Sequence, residues 1–220
     1  MTRTLIDVSH EIEAGMVTYP GLPGPVISDH LSRAASQAVY ADGTTFQIGR
    51  IEMVANTGTY IDAPFHRFAE GGDLADLPLT RLADVPGVVI DVTRRVGPAL
   101  DVEWFAGWDL RDRAVLIRSG WDAHWRTPQY ADGAPFLTRL AAEFLARAQP
   151  ALVGIDSVNI DNTQDGTRPA HTVLLGAGIP VVEHLCGLQL LPVQGFRFHC
   201  VPVKFRGVGT FPVRAYAVIE

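Results

Sequence analysis

Short apolar segments separated by glycine and proline are the feature of this sequence that most limits its fold. Fifteen prolines and 21 glycines interrupt the 220 residues, and such interruptions favour turns and loops. Between them, apolar runs of strand length predict β-strands over residues 4–9, 45–54, 87–92, 114–118, 152–155, 179–183, 196–203 and 213–219. A chain with this many short strands requires a fold built on a sheet.

Helical periodicity is confined to two segments. Residues 137–148 place apolar side chains three and four positions apart, with Thr138 or Pro135 to open the helix and Pro150 to close it. Residues 170–175 predict a second, short helix that ends at a glycine-rich turn. The predicted fold class is therefore α+β, with mixed α/β layers.

The bulk composition narrows the classes of function. A chain with 47% hydrophobic and 19% charged residues is typical of a folded protein, and its length suits a single domain over residues 1–220. The formal charge of -6 and the lack of a basic cluster disfavour nucleic-acid binding. No apolar run has the length of a bilayer, and the first residues lack the pattern of a signal peptide. We expect a cytoplasmic protein without membrane or nucleic-acid partners.

Residues 56–66 carry the most informative polar pattern. Four candidates are spaced four, two and four positions apart, namely Asn56, Tyr60, Asp62 and His66. All share one parity, so an extended chain would point them to one face. If one helical turn joined Asp62 to His66, it would bring a carboxylate beside an imidazole, as a divalent metal requires. Taken alone, the pattern also fits a surface aspartate that caps a turn.

A second polar pair, His171 and Glu183, flanks the second predicted helix. That helix would climb about 10 Å at roughly 1.5 Å per residue, and the next strand would return about 13 Å. Glu183 would then lie near His171, where the two could share a metal or form a plain hydrogen bond between helix and strand. A third cluster, residues 154–157 with Asn159 and Asp161, could line the same pocket or form a polar turn, the simpler interpretation.

Residues 56–66 resemble the signature His-x-Gly-Thr-His-x-Asp-x-Pro-x-His of the cyclase, or kynurenine formamidase-like, family. Similarity extends over nearly the whole chain, through residues 7–9, 15–16, 19–21, 87–97, 115–121, 154–157, 169–175, 179–183 and 202–214. The resemblance implies a swivelling β/β/α domain that assembles as a homodimer or homotetramer. It also implies binding of Zn²⁺ or Mn²⁺ and hydrolysis of amide or lactone-like bonds in small, often aromatic molecules.

Matched to the family pattern, the expected metal-site residues are Asp62, His66, His171 and Glu183. Asn56 and Tyr60 stand where the family has histidines. A neutral carboxamide and a protonated phenol are poor ligands for these metals. The resemblance therefore implies one divalent metal (zinc or manganese) or none, in place of two.

Three functions are compatible with these residues. In the first, Asp62, His171 and Glu183 hold the metal, His66 is the general base, and Asn56 and Tyr60 donate hydrogen bonds to the oxyanion. The substrate would be a small molecule with an amide or a cyclic ester or amide bond. In the second, a metal-free cyclase, dehydratase or isomerase uses the same side chains for acid–base chemistry. In the third, a non-catalytic descendant binds a small ligand.

Overall fold

A nine-stranded mixed sheet forms the centre of the computed structural model, which describes residues 3–220. The strands in chain order are β1 (Thr4–Asp7), β2 (Val26–Leu31), β3 (Ile48–Glu52), β4 (Tyr60–Asp62), β5 (Val85–Asp91), β6 (Ala99–Leu100), β7 (Ala114–Arg118), β8 (Phe136–Leu137), β9 (Leu152–Ile155), β10 (Val181–Glu183), β11 (Gln194–His199), β12 (Thr210–Pro212) and β13 (Tyr216–Ile219). The α-helices are α1 (Arg33–Ser36), α2 (Arg139–Ala148) and α3 (Pro169–Gly176).

The sheet has a parallel centre and antiparallel edges. Its strand order is β1-β13-β11-β5-β7-β9-β10-β4-β12. Strands β5, β7, β9 and β10 run parallel, and the strands on either side pair antiparallel. The central strands are apolar and buried along both faces, as strands covered on both sides must be.

Alternation along the central strands divides the core in two. In β7, Val115 and Ile117 pack with the buried sides of α2 and α3. Leu116, between them, points to the opposite face and joins a second apolar cluster, because successive side chains of a strand face opposite ways. Layers of helix, sheet and loops result, which confirms the expected α+β class with mixed layers.

Helix α2 shows how local sequence sets an element. The Thr138 side chain accepts a hydrogen bond from the backbone N–H of Ala141 at 3.1 Å, a regular N-cap. Gln149 adopts a left-handed conformation and ends the helix one residue before Pro150. The expectation that Thr138 or Pro135 opens this helix and Pro150 closes it is confirmed for Thr138 and Pro150.

The strand predictions were correct at the centre of the sheet and imprecise at its margins. Residues 114–118 and 152–155 form strands with the predicted bounds, and residues 4–9, 45–54, 87–92, 179–183 and 213–219 contain shorter or shifted strands. The strand predicted over residues 196–203 instead spans Gln194–His199. Short strands such as β4 and β12 were missed, because three residues carry no readable alternation. Helix α3 extends the predicted 170–175 by one residue at each end.

The two missed strands matter because they position the polar residues of the site. Antiparallel pairing sets Asp62 opposite Val181 of β10 and Thr210 of β12, and sets Glu183 opposite Tyr60. Residues far apart in sequence are thus fixed side by side. Within residues 3–220, none of the helices combines the length and apolar character that a membrane crossing requires.

Candidate active site

Asp62, His66 and His171 come together at one point. Each offers a ligand atom, and these atoms lie within 4.8 Å of one another. The imagined helical turn from Asp62 to His66 does not form: β4 ends at Asp62, and a 3-10 turn follows over Pro64–His66. The turn still returns His66 to Asp62, with 3.8 Å between His66 Nδ1 and Asp62 Oδ1.

Glycine at position 209 is needed for this turn. A Cβ atom there would lie 2.4 Å from the backbone nitrogen of His66, a distance that no side chain tolerates. The carbonyl of Gly209 also accepts the backbone N–H of Ala63 at 2.7 Å. Close backbone approach between residues 63–66 and Gly209, which precedes β12, therefore fixes the position of His66.

His171 is oriented by Asp161. Oδ2 of this buried carboxylate lies 2.7 Å from His171 Nδ1, and the carboxylate also accepts the backbone N–H groups of Ala170 and His171 at 2.6 and 3.0 Å. Asp161 thereby satisfies the first turn of α3 and directs His171 Nε2 toward the other carboxylates. The third polar cluster thus contributes directly to the site, which sequence reasoning left open.

His171 Nε2 lies between two carboxylates. It is 3.5 Å from Asp62 Oδ2 and 3.5 Å from Glu183 Oε1, so the expected approach of Glu183 to His171 is observed. Burial alone would lower the pKa of His171, but the three surrounding carboxylates raise it to about 10. A positive charge at this point is therefore strongly favoured, whether a proton or a cation supplies it.

Both oxygens of Glu183 already have partners. Oε2 accepts the hydroxyl of Tyr60 at 2.7 Å, and Oε1 accepts the backbone N–H of Ile160 at 2.6 Å. Burial raises the pKa of Glu183 to about 7, against the lowering effect of His171. Among the four expected metal-site residues, Glu183 lies outside the described cluster of Asp62, His66 and His171.

Tyr60 belongs to a buried hydrogen-bonded group with His184. Burial and the adjacent Glu183 raise the pKa of the Tyr60 phenol well above its usual value, so it remains a donor. His184 Nε2 lies 3.3 Å from the Tyr60 hydroxyl, and Nδ1 lies 2.9 Å from the hydroxyl of Tyr130. Burial lowers the pKa of His184 to about 3, which keeps it neutral.

Sequence reasoning missed His184 as well as its backbone strain. Its φ of 56° is left-handed, which costs about 1–2 kcal/mol for a residue with a Cβ atom. This turn aims the imidazole at Tyr60, while the backbone carbonyl accepts the hydroxyl of Thr59 at 2.5 Å. The only signal in the sequence was the position of His184 directly after Glu183.

Thr210 is a second residue that sequence reasoning missed. Its hydroxyl bonds to Asp62 Oδ1 and lies 2.8 Å from His66 Nδ1. Burial opposes ionisation of Asp62, yet the neighbouring imidazoles and the hydroxyl hold the pKa of Asp62 below its usual value. An ionised carboxylate only accepts hydrogen bonds, so Thr210 donates to Asp62 and accepts Nδ1–H from His66. In the neutral imidazole, this arrangement makes Nε2 of His66 the acceptor nitrogen.

These groups border a cavity of about 280 Å³. Its lining comprises Tyr19, Leu22, Asn56, Tyr60, His66, Arg67, Asn159, Arg168 and His171. His66 is the most exposed of the three clustered residues, with 36% of its side chain accessible, whereas the side chains of Asp62 and His171 are 0% and 7% accessible. The cavity therefore reaches the cluster through His66.

The residues present fit a divalent cation. Asp62 Oδ2 is buried and has no hydrogen-bond partner, which is costly for a carboxylate oxygen unless a cation faces it. Two ligand atoms about 2.1 Å from one ion at a tetrahedral angle lie roughly 3.4 Å apart, close to the 3.5 Å between Asp62 Oδ2 and His171 Nε2. Asp161 supplies the carboxylate that usually supports a ligating histidine from behind.

Asn56 and Tyr60 lie beside this cluster and are not part of it. Asn56 is half-buried on the cavity wall, and its amide lies next to the Tyr60 hydroxyl. The expectation that both donate to a substrate oxyanion stays a prediction. Tyr60 would have to exchange its present bond to Glu183 to take that role.

Comparison with known proteins gives a consistent result. A model of the cyclase family (Cyclase) matches residues 6–162. Kynurenine formamidase from Bacillus cytotoxicus is 27% identical over 211 residues, which cover 96% of this chain and 95% of that protein. Among solved structures, isatin hydrolase A from Labrenzia aggregata superposes with a TM-score of 0.82 at 23% identity, covering 99% of this chain and 94% of that one.

A second solved structure is described as a potential metal-dependent hydrolase with cyclase activity. It superposes with a TM-score of 0.77 at 26% identity, covering 100% of this chain and 99% of the other. The family match spans most of the chain, and the structural matches span nearly all of both partners. This chain belongs to the cyclase family.

Proposed function

We propose that the chain is a hydrolase that cleaves an amide bond in a small aromatic molecule with the help of one divalent cation. The observation that carries the proposal is the unpartnered, buried oxygen of Asp62, which faces His171 beside an exposed His66. The similar kynurenine formamidase and isatin hydrolase, whose names denote hydrolysis of aromatic compounds, support the same chemistry.

Asp62 and His171 would hold the cation, and their oxygen and nitrogen donors are compatible with zinc or manganese. When bound, such an ion lowers the pKa of water and polarises a carbonyl. Glu183 would either act as a further ligand or keep its hydrogen bonds to Tyr60 and Ile160. His66 is expected either as a further ligand or as the base, and its exposure favours the base.

His66 has the features of a general base. Thr210 accepts its Nδ1–H and leaves the lone pair of Nε2 free. In hydrolysis, His66 takes a proton from the attacking water as the C–O bond forms, and returns it to the leaving nitrogen as the C–N bond breaks. The Asn56 amide lines the cavity beside the Tyr60 hydroxyl and would donate a hydrogen bond to the developing oxyanion.

Tyr60 supports this site through Glu183. Its hydroxyl occupies one carboxylate oxygen at 2.7 Å and is backed by neutral His184. Tyr60 thereby limits the freedom of Glu183 to bind a second cation, in keeping with its place at a family histidine position. We propose one metal site per chain on this basis.

A metal-free reaction on the same residues is the alternative. It is favoured by the environment of His171, whose imidazolium would itself neutralise the surrounding carboxylates. Asp62, His66 and Tyr60 would then serve a cyclisation, dehydration or isomerisation. Activity that survives exhaustive chelation would favour this alternative.

We also propose that the chain is a homodimer or homotetramer. Strands β2 and β3 form a separate two-stranded sheet that exposes apolar side chains, with Val26, Ile27, Ile48 and Ile51 each 46–63% accessible. An exposed apolar surface of this kind is typical of a subunit interface. Sedimentation of wild type and Ile51→Glu tests it: the variant should dissociate, and two monomeric proteins would refute the proposal.

The central test is hydrolysis by the purified protein loaded with Mn²⁺ or Zn²⁺. Formanilide and related N-acyl aromatic amines should be cleaved, and the chelated protein should be inactive until the ion is restored. Asp62→Asn should lose activity with its fold intact by circular dichroism, whereas Asp109→Asn, on an exposed loop outside the cavity, should not. Equal activity of chelated and loaded protein would refute the proposed use of a cation.

A further inference from the structure

We infer that Arg67 and Arg168 form a carboxylate-binding pair in the cavity, so that the preferred substrate is an anionic aromatic amide. The inference rests on the proposed function and adds the charge of the substrate to it. Both guanidinium side chains line the same cavity as His66 and His171. Its lining includes no carboxylate, so the permanent charges among the lining side chains are those of the two guanidinium groups.

Among the described residues, neither of the two arginines has an acidic partner, although both lie at a cavity that holds other polar side chains. Within residues 3–220, seven other arginines form ion pairs with aspartate or glutamate: Arg50, Arg113, Arg118, Arg126, Arg197, Arg206 and Arg214. Arg67 and Arg168 form none within 4.0 Å in that part of the chain. Two guanidinium groups without a direct ion pair at one cavity can bind an external anion.

Arg67 is anchored in a way that leaves its terminal nitrogens free. Its Nε donates to Thr172 Oγ1 at 3.1 Å, and its guanidinium lies 5.2 Å from the ring centre of Phe68. Neither terminal nitrogen has a hydrogen-bond partner among the described residues. The side chain is therefore oriented, while the two groups that bind carboxylates remain available.

Arg168 converges on the same turn of α3. Thr172, whose hydroxyl anchors Arg67, donates its backbone N–H to the carbonyl of Arg168 at 3.0 Å. The terminal nitrogens of Arg168 make only long contacts, 3.4 Å to the carbonyl of Asn162 and 3.5 Å to the Tyr19 hydroxyl. Such distances mark weak bonds that an anion can replace.

The backbone of Arg168 is strained. Its φ of 47° and ψ of 62° are left-handed, a conformation that disfavours any residue with a Cβ atom. Glycine or asparagine would be the usual residue at such a position, and the N-cap carries no side-chain hydrogen bond to the helix. Strain of this kind is retained where the side chain serves a function.

The remaining lining suits an aromatic ring between the arginines and the histidines. Tyr19 and Leu22 provide the apolar part of the wall. A carboxylate held by the arginines and an amide carbonyl near His66 would then define the two ends of the substrate. The ligand class is therefore an aromatic amide with a carboxylate on or near the ring.

The test compares two probes that differ only in this charge, 2-formamidobenzoate and its methyl ester, with the 3- and 4-isomers included. The metal-loaded wild type should prefer the carboxylate in at least one isomer by about tenfold or more in kcat/KM. The double variant Arg67→Gln/Arg168→Gln should lose that preference, mainly through a higher KM for the carboxylate. The double lysine variant should restore part of the preference. Arg147→Gln removes one charge on an exposed helix face outside the cavity and should retain the preference.

Equal turnover of acid and ester by the wild type, or a preference that survives in the double glutamine variant, overturns the inference while the hydrolase function stands. If neither these probes nor formanilide is hydrolysed, the proposed function fails, and the inference is decided by calorimetry with benzoate. Binding that the wild type and Arg147→Gln share, and the double variant lacks, would support it. Absence of benzoate binding to the wild type would overturn it.

Discussion

Replacing Thr210 by valine tests how the site controls the proton on His66. Valine keeps the shape and the β-branching that suit strand β12, and removes only the hydroxyl. That hydroxyl donates to Asp62 Oδ1 and accepts from His66 Nδ1. The substitution therefore leaves a buried carboxylate oxygen without its donor. It also removes the acceptor of Nδ1–H, so that the neutral His66 can carry its hydrogen on Nε2 instead.

The expected magnitudes follow from these two losses. Loss of a hydrogen bond to a buried charge costs about 2–3 kcal/mol, which for a chain of this size lowers the unfolding temperature by about 4–12 °C. A neutral His66 that carries its hydrogen on Nε2 cannot serve as the general base, whose contribution is typically about 100-fold or more. We expect kcat to fall by at least about tenfold, because His66 still samples the active tautomer.

Thr210→Ser is the matched control, since it keeps the hydroxyl and loses one methyl group. Steady-state kinetics on a cleaved amide and thermal unfolding of the metal-loaded protein are measured for both variants. The serine variant should stay within about threefold of wild type in kcat, because the bond to His66 is preserved. A valine variant that is destabilised yet keeps wild-type kcat would refute the assigned tautomer of His66.

Three further predictions follow from the same contacts. Affinity for Mn²⁺ should rise about tenfold per pH unit between about pH 6 and 8, because the ion must displace a proton from His171, whose pKa is about 10. An affinity that calorimetry finds independent of pH would contradict this. Arg168→Gly should raise KM for a carboxylate substrate. It should change the free energy of unfolding by less than about 1 kcal/mol, because relief of the left-handed strain offsets the greater flexibility of the unfolded chain. A loss of stability well above that would show that Arg168 is structural. The pKa of His184 is about 3 in the folded protein and about 6.5 in the unfolded chain. The unfolded chain therefore takes up the proton first as pH falls, and the free energy of unfolding should drop by about 2 kcal/mol from pH 7 to 5. Denaturant unfolding of His184→Gln should show a correspondingly flatter pH dependence, and an unchanged slope would contradict the assignment.

The sequence was informative about the fold where patterns were long and local. The apolar runs at residues 114–118 and 152–155 form the predicted strands, because parallel strands that are buried on both faces consist almost entirely of apolar residues. The cap at Thr138 and the break at Pro150 are likewise local signals. Residues 60–62 and 210–212 carried no such signal, since their strand character depends on pairing with β10 and with each other.

The same distinction applies to the site. Asp62, His66 and His171 were identified from spacing together with the family resemblance, and they lie together in the structure. Thr210 and His184 could not be identified, because their roles depend on contacts across 124 to 148 positions of sequence. Asp161 was ambiguous because an aspartate that orients a histidine and one that satisfies a turn look alike in sequence, and here it does both.

The most direct test of the account is the number of divalent ions bound per chain at saturation. Equilibrium dialysis of the chelated protein against Mn²⁺ or Zn²⁺, followed by elemental analysis, should give one ion per chain. Asp62→Asn and His171→Gln should each lose that ion, and hydrolytic activity should appear in proportion to occupancy. Two ions per chain would contradict the role given to Asn56 and Tyr60, and no bound ion would contradict the proposed cation site itself.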